Sequence, residues 1–139
     1  MITRDAQETA EIGSRLGRAL KKGMVVSLEG KLGVGKTTFA KGIAVALGIE
    51  EQVMSPSFTI MSVYRAPITL YHIDLYRIAD TAEMADAGIE DVLYENQDGV
   101  AVVEWGEKAE AILPEGYIQV SFTLTEEGSR SISIRGIQL

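Results

Sequence analysis

Apolar residues recur at helical spacing in two stretches near the start of the chain. Residues 3–22 carry an apolar stripe that is followed by Gly23, so the spacing predicts an amphipathic helix. The stripe consists of Ile12, Leu16, Ala19 and Leu20. Residues 24–28 form a short apolar run with β-branched side chains, which predicts a buried strand. Helical spacing resumes over residues 36–47, so a second helix is predicted there.

The second half of the chain shows patterns typical of strands. Residues 57–64 and 68–76 are rich in Thr, Val, Ile, Phe and Tyr, and they flank a short turn, which predicts a β-hairpin or meander. Residues 99–103 form another apolar run and predict a central strand. Residues 117–125 and 130–137 alternate apolar and polar side chains around a Glu-Glu-Gly-Ser turn, which predicts a closing antiparallel hairpin.

Two shorter helical segments are predicted among these strands. Asp80 and Glu83 have the spacing of a capping box with Asp80 as the cap, and they begin a short helix. Residues 106–113 are also predicted to be helical, and Pro114 ends that segment. No repeat or linker interrupts this order. We therefore expect residues 1–139 to form a single α/β domain.

Composition restricts the setting of the protein. The 139 residues suffice for one domain with its own core, and 46% apolar with 24% charged residues is typical of a globular protein. No apolar run approaches the about 20 residues that cross a bilayer. The start of the chain lacks the layout of a secretion signal, and cysteine is absent. We expect a cytoplasmic protein without membrane contact.

Charge argues against independent binding of nucleic acid. The net charge is −7, and the sequence pI is about 4.7. A domain that holds RNA by itself normally presents a basic face, whereas the basic residues here are scattered. Any contact with RNA is therefore expected to be local or shared with a more basic partner.

A glycine-rich motif follows the first predicted strand. The residues from Gly30 to Thr37 read GKLGVGKT and match the pattern G-x-x-x-x-G-K-[ST]. A strand before the motif and an amphipathic helix after it are the context that a phosphate-binding loop needs. The motif predicts binding of ATP, or a close relative, together with Mg²⁺. It also predicts a three-layer P-loop NTPase-like fold with a mixed, mainly parallel central sheet and antiparallel strands at the edge.

Each residue type in this loop has a physical task. The glycines permit positive φ and let backbone N–H groups close around phosphate oxygens. Lys36 places a mobile charge between the outer phosphates, the Thr37 hydroxyl is suited to ligate Mg²⁺, and Thr38 is placed to reach the inner phosphate. The expected nucleotide-binding residues of the loop are Gly30, Gly33, Val34, Gly35, Lys36, Thr37 and Thr38.

A phosphate-binding loop also needs an acidic residue at the end of a strand to hold the metal or its water. Asp74 and Glu104 both follow apolar strand patterns and are candidates. The alternative for either acid is a solvated turn residue. Glu104 ends the more apolar strand, so it is favoured over Asp74 as the magnesium ligand.

The chain resembles the TsaE (YjeE) family, small bacterial ATPases needed to make threonylcarbamoyladenosine on tRNA. Four segments in the right order carry the resemblance: residues 32–38 (LGVGKTT), 55–59 (SPSFT), 71–77 (YHIDLYR) and 103–105 (VEW). The last two are more specific than the phosphate-binding loop, which many unrelated proteins share. One departure is Lys31, where the family usually has an acidic residue; it lies in the variable part of the loop.

The resemblance implies roles beyond those that the loop predicts. It implies that Thr37 and Glu104 hold Mg²⁺, that Asp74 lies in a switch-like segment needed for hydrolysis, and that Trp105 lies close to the site. It places the adenine near Ala6 and a second switch-like loop at residues 55–59. In that loop Thr59 would offer its hydroxyl to the metal or γ-phosphate, and the alternative for Thr59 is an ordinary strand threonine. It further implies slow ATP hydrolysis that is stimulated by a partner, the TsaB–TsaD pair that modifies adenosine 37 of tRNA.

Other polar residues are expected to have structural roles. His72 is the only histidine, and in an alternating strand it is expected to pack or bond locally rather than bind metal. Arg65 and Arg77 are expected to form surface ion pairs rather than to stabilise phosphoryl transfer.

Three functions fit these observations. The first is an ATPase that drives or resets a partner complex. The second is a nucleotide-sensing binding module whose hydrolysis is incidental. The third is a small-molecule kinase, which is disfavoured because the chain offers no evident lid or acceptor site.

Overall fold

The computed structural model describes residues 1–31, 33–54 and 60–139, with only the backbone at Thr81 and Asp86. The strands are β1 (Ile2–Thr3), β2 (Val25–Glu29), β3 (Met61–Tyr64), β4 (Thr69–Asp74), β5 (Gly99–Glu104), β6 (Ile118–Leu124) and β7 (Arg130–Arg135). The helices are α1 (Ala6–Ala19), α2 (Lys36–Ala46), α3 (Thr81–Asp86), α4 (Ile89–Glu95) and a 3₁₀ helix, Gly106–Ile112.

The seven strands form one sheet in the order β1-β7-β6-β2-β5-β4-β3. The four central strands, β6, β2, β5 and β4, run parallel to one another. Antiparallel strands complete both edges, because β3 pairs with β4 while β7 pairs with β6 and β1. The mixed sheet with a parallel centre confirms the predicted fold class. Parallel central strands also bring their carboxyl ends to one edge of the sheet, where ligands of such folds bind.

Side-chain alternation along the central strands builds a core on each face of the sheet. On β5, Val100 and Val102 pack on the face covered by α1 and α2. Ala101 and Val103 pack on the opposite face, beneath α3, α4 and the 3₁₀ helix. Both faces are buried, so β5 is buried along its whole length, as its apolar run predicts. The helices on both faces give the three predicted layers.

Glycines set the close approach of α1 to α2. A Cβ atom added to Gly13 would lie within 3.0 Å of the carbonyl oxygen of Phe39, and one added to Gly42 would lie as close to that of Ala10. Because neither residue has a side chain, the two backbones meet directly. This contact fixes α2, and with it the glycine-rich loop that precedes α2.

The structure corrects the boundaries of the first predicted helix. The helix does not extend over residues 3–22, since Thr3 belongs to β1 and α1 runs only from Ala6 to Ala19. The Asp5 carboxylate caps α1 by accepting the Glu8 backbone N–H at 2.8 Å. The first residues pair with β7 instead, and the Ile132 N–H donates to the Met1 carbonyl oxygen at 2.8 Å.

Most of the other predicted elements are confirmed with small shifts. The two hairpins appear as β3–β4 and β6–β7, and the segment before Pro114 is a 3₁₀ helix. Asp80 caps α3 as predicted, by accepting the Glu83 N–H at 3.1 Å. Residues 57–59 of the first predicted hairpin lie outside the described residues. In the part of the chain that the structure describes, no helix combines the length and apolarity that crossing a bilayer requires.

Candidate functional site

The loop between β2 and α2 has the backbone conformation that its glycines predict. Gly33 and Gly35 have φ angles of 79° and 105°, in the left-handed region that favours glycine. α2 begins at Lys36 without a side-chain cap, so no capping side chain occupies the N–H groups of its first turn. These N–H groups and the positive end of the helix dipole make the start of α2 suited to an anion.

Lys36 is buried where the loop, α2 and the end of β5 meet, with 4% of its surface exposed. Its Nζ donates to the carbonyl oxygen of Gly30, inside the loop. The same Nζ lies 3.3 Å from the centroid of the Trp105 ring, a cation–π contact. The ammonium is thus held among loop and aromatic groups in a partly desolvated place, where its attraction for an anion exceeds that in water.

Burial lowers the pKa of Lys36 below its ordinary value of 10.5. Three carboxylates oppose this shift by raising the pKa; in order of decreasing effect they are Glu107, Glu104 and Asp74. The folded environment therefore disfavours the charged lysine on balance. A buried charge held at such a cost, beside a helix start, is typical of functional sites.

Glu104 ends β5 and points its carboxylate at α2. The carboxylate is buried, and its Oε1 accepts the hydroxyl of Thr37 at 2.8 Å. Its Oε2 lies 2.6 Å from Nε2 of His72, which is completely buried. The structure thus brings together the threonine and the acid that the sequence predicts for magnesium, although 67 positions separate them in the chain.

Asp74 lies beside Glu104 at the same edge of the sheet. The two residues are register partners at the ends of the parallel strands β4 and β5, which lie about 4.8 Å apart in such a sheet. Asp74 Oδ1 accepts the Tyr76 backbone N–H at 2.9 Å, which shapes the turn after β4. Two neighbouring carboxylates beside the glycine-rich loop repel each other, so this edge of the sheet is suited to a cation.

Trp105 has the only positive φ among the described residues other than glycine, at 60°. This conformation costs of the order of 1 kcal/mol or more, and such strain clusters at functional sites. The turn lets the next residue, Gly106, pack against Ser27 of β2 with no room for a Cβ. It also lets Glu107 accept the Gly30 backbone N–H at 3.1 Å. The strained turn therefore joins the end of β5 to the first residue of the loop.

Arg130, at the start of β7, supports the loop from the other side. Its Nε donates to the carbonyl oxygen of Val34 at 3.3 Å, and its second terminal nitrogen donates to that of Gly33 at 3.2 Å. A guanidinium is suited to this because its planar fork holds two acceptors at once. The Thr9 methyl of α1 lies 3.5 Å from where a Cβ of Gly35 would be, so α1 also borders the loop.

We expect Arg130→Gln to loosen this loop. The variant loses a charged donor to two loop carbonyls, and each such bond is worth about 1.5–3 kcal/mol when buried and less when half-exposed, as here. The backbone amides of Gly33 and Gly35 should then show lower NMR order parameters, falling from the value of about 0.85 that is typical of a rigid backbone toward about 0.6. Nitrogen-15 relaxation measures this. Arg135→Gln, on the same strand, is the control, and equal order parameters in wild type and Arg130→Gln would contradict the expectation.

The structure brings most of the predicted site residues to one edge of the sheet. Lys36, Thr37, Glu104 and Trp105 are in contact through the bonds above, and Asp74 is adjacent. Thr38 is half-buried in the first turn of α2. Ala6 is exposed in the first turn of α1, three residues before Thr9, whose methyl group borders Gly35. Leu32 and residues 55–59, including Thr59, lie outside the described residues.

Sequence reasoning missed Glu107 and Arg130. Both contact the loop across 77 positions or more of the chain, and neither belongs to a local motif. His72 was expected to pack or bond locally. It does pack in the interior, but its hydrogen bond is to Glu104, 32 positions away. The pairing of β4 with β5 is what places it there. A sequence signal existed only for His72, which stands two positions before Asp74 on an alternating strand and so shares its face.

Comparison with known proteins identifies similar chains. Residues 3–132 match the family described as threonylcarbamoyl adenosine biosynthesis protein TsaE. The chain is similar to the tRNA threonylcarbamoyladenosine biosynthesis protein TsaE of Treponema pallidum, with 43% identity over 133 residues, 96% of this chain and 97% of that one. The protein of that name from Bacillus subtilis is 38% identical over 136 residues, 97% of this chain and 84% of that one.

A solved structure is similar as well. The crystal structure of Bacillus subtilis YdiB superposes on this chain with a TM-score of 0.78 and 35% sequence identity. The match covers 96% of this chain and 82% of that one.

Proposed function

This chain belongs to the TsaE family, and we propose that it binds and hydrolyses ATP with Mg²⁺ as an accessory protein in the formation of N6-threonylcarbamoyladenosine at position 37 of tRNA. The partner we propose is a TsaB–TsaD-type transferase complex. The observation that carries the proposal is the contact of Thr37, at the start of α2, with Glu104, at the end of a central parallel strand. We further propose that residues 1–139 act as a single ATPase domain.

In this proposal the loop holds the phosphates of ATP. Backbone N–H groups of the loop and of the first turn of α2 donate to phosphate oxygens, and Thr38 reaches the inner phosphate. Lys36 leaves the Gly30 carbonyl to contact the outer phosphates, where its charge is attracted by the charge that develops during transfer. Ala6, at the exposed start of α1, borders the adenine. The phosphate-contacting residues are Gly30, Gly33, Val34, Gly35, Lys36, Thr37 and Thr38.

Thr37 and Glu104 suit Mg²⁺ because each offers an oxygen, and the two oxygens lie 2.8 Å apart. Mg²⁺ prefers oxygen ligands, and it usually binds through one or two carboxylates together with substrate phosphates. When bound, the ion would neutralise charge on the outer phosphates. Glu104 would then exchange its bond from the Thr37 hydroxyl for the metal or a metal-bound water.

Asp74 is proposed to orient the attacking water. Its carboxylate ends β4 next to Glu104, and the Tyr76 N–H already fixes one of its oxygens. Trp105 is proposed to lie against the site when nucleotide is bound. Its ring lies over the Lys36 ammonium, and its centroid is 5.2 Å from that of the Tyr76 ring. Binding of ATP therefore changes the surroundings of both aromatic rings, which gives a route from the nucleotide to a partner surface.

The acidic surface is consistent with work on a partner rather than directly on tRNA. With a net charge of −7, the chain repels the phosphate backbone, so contact with tRNA is proposed to be indirect or shared with the transferase. We propose a cytoplasmic location, where tRNA is modified.

Reconstitution of tRNA modification tests this proposal. A TsaB–TsaD-type complex from the same organism, with substrate tRNA and ATP, is expected to form the modified nucleoside over repeated turnovers only when this protein is present. Glu104→Gln should abolish that support, whereas Glu95→Gln, an exposed glutamate of α4, should retain it. Repeated turnover without this protein would refute the proposed function.

The same assay separates the two rival functions. Asp74→Asn is expected to bind ATP and the partner but to lose hydrolysis and turnover. If turnover survives in Asp74→Asn although its ATP hydrolysis is lost, the protein is a nucleotide-sensing module with incidental hydrolysis. If labelled γ-phosphate appears on an added nucleoside or sugar rather than as inorganic phosphate, it is a small-molecule kinase.

A further inference from the structure

His72 is the only histidine of the chain, and the roles proposed above do not use it. It lies on β4, two positions before Asp74, so alternation along the strand points both side chains to the face that α2 covers. The imidazole has no solvent exposure, and its Nε2 lies 2.6 Å from Oε2 of Glu104. A polar ring buried this deeply beneath a candidate metal ligand calls for an explanation.

The hydrogen bond defines the form of the ring. An ionised carboxylate only accepts, so Nε2 of His72 carries the proton in this contact. Nδ1 is buried and has no hydrogen-bond partner among the described residues. The geometry therefore places the donor of this contact on Nε2 of His72.

This arrangement divides the two oxygens of Glu104 between two neighbours. His72 holds Oε2, and the Thr37 hydroxyl contacts Oε1. A carboxylate with one oxygen fixed cannot rotate freely, so Oε1 stays directed at the start of α2.

We propose that His72 is a positioning residue that fixes the Glu104 carboxylate so that its Oε1 faces Mg²⁺. This inference rests on the proposed metal role of Glu104. The alternative is that His72 only fills space in the core next to β5. The two roles differ in one respect: positioning requires a donor at the place of Nε2, whereas space filling requires only a side chain of suitable volume.

A matched pair of amide variants separates these roles. In His72→Gln the side-chain amide reaches the place of Nε2 and can donate to Glu104, whereas in His72→Asn it reaches only the place of Nδ1. His72→Leu fills the space with no donor. Binding of Mn²⁺ to the ADP complex of each variant, followed by electron paramagnetic resonance, reports on the metal without turnover. Binding of a fluorescent ADP analogue in excess EDTA reports on the nucleotide alone.

We expect a variant to retain Mn²⁺ affinity only if it has a hydrogen-bond donor at the place of Nε2. His72→Asn and His72→Leu should bind Mn²⁺ about 10–100-fold more weakly than wild type, as is usual for loss of a partner behind a metal ligand. His72→Gln should stay close to wild type, and nucleotide affinity in EDTA should be unchanged in all variants that fold. Equal Mn²⁺ affinities for His72→Gln and His72→Asn would overturn the inference. If His72→Leu does not fold, the comparison of His72→Gln with His72→Asn decides between positioning and space filling.

Glu104→Gln distinguishes failure of this inference from failure of the proposed function. If Glu104→Gln leaves Mn²⁺ affinity unchanged, the metal role of Glu104 is wrong and the inference falls with it. If Glu104→Gln weakens binding while the amide pair remain equal, only the role of His72 is wrong.

The wild-type protein supplies an independent test. Because the chain has one histidine, nitrogen NMR of the ¹⁵N-labelled protein shows a single imidazole without assignment. The proton is expected on Nε2, with a signal shifted by its bond to the carboxylate. A proton on Nδ1 instead would overturn the inference, since Nε2 could not then donate to Glu104.

Discussion

Lys36→Met is expected to reduce ATP hydrolysis by about 10²–10³-fold, the usual effect of removing a group that stabilises charge in the transition state. The same variant is expected to raise the melting temperature of the nucleotide-free protein. Burial is the largest influence on the pKa of Lys36 and lowers it, so the folded state disfavours the ammonium. An apolar side chain of similar length removes that cost. Phosphate release and thermal unfolding measure the two effects.

Lys41→Met is the matched control for this variant. Lys41 is an exposed lysine of the same helix, so its replacement should change neither hydrolysis nor the melting temperature. A fall in the melting temperature of Lys36→Met would mean that its bonds to the Gly30 carbonyl and the Trp105 ring outweigh the cost of burial. That result would make Lys36 a structural residue.

The gain in stability from Lys36→Met has a defined dependence on pH. The pKa of Lys36 is lowered by burial in the folded protein, whereas in the unfolded chain it is near 10.5. Between these two values the unfolded chain binds more protons, so wild-type stability gains a rising contribution as pH increases. Below this window the wild type bears the whole cost of the buried charge. The difference in melting temperature between Lys36→Met and wild type should therefore be largest below the window and shrink through it.

Gly42→Ala is expected to destabilise the protein strongly, although alanine favours helices. In an open helix the change would stabilise by about 1 kcal/mol. Here the new Cβ would lie within 3.0 Å of the Ala10 carbonyl oxygen, which is backbone and cannot rotate away. Forcing α1 and α2 apart costs about 1–3 kcal/mol or more, as overpacking does. The melting temperature should fall by several degrees, at about 2–4 °C or more for each kcal/mol.

The effect of Gly42→Ala should also reach the nucleotide site. α2 begins at Lys36, so a shift of the helix moves the start of α2 relative to Glu104 and weakens ADP binding. Val45→Ala is the control, because Val45 lies on the exposed side of the same helix. A melting temperature of Gly42→Ala equal to or above that of wild type would show that the two helices do not pack through this glycine.

Local patterns predicted much of the fold because strands and helices carry their periodicity in adjacent residues. The alternation around residues 118–135 and the apolar run of β5 were enough to predict those strands. Two elements were missed. β1 has only two residues, too few to show alternation, and α4 follows Gly88, whose left-handed conformation breaks the helical pattern before it. Both owe their presence to packing on the rest of the sheet.

The sequence by itself determined the prediction for one half of the site. Residues 30–38 contain the glycines, the lysine and the threonines in a single segment, so the phosphate-binding role proposed for them follows from local spacing. Asp74 and Glu104 were predicted only as residues at the ends of strands. The end of a strand can be recognised from adjacent residues, whereas the strand that pairs with it cannot. The prediction that these acids meet the loop relied on the resemblance to the TsaE family as well as on their positions at strand ends.

Only the tertiary structure decided which residues meet the loop. The order of the strands places β5 between β2 and β4, and their register puts Glu104 beside Asp74 and above His72. Glu107 and Arg130 contact the loop from segments with no motif of their own. Strand order and register are set by the packing of the whole core, a sum over many distant contacts, and no local pattern encodes that sum.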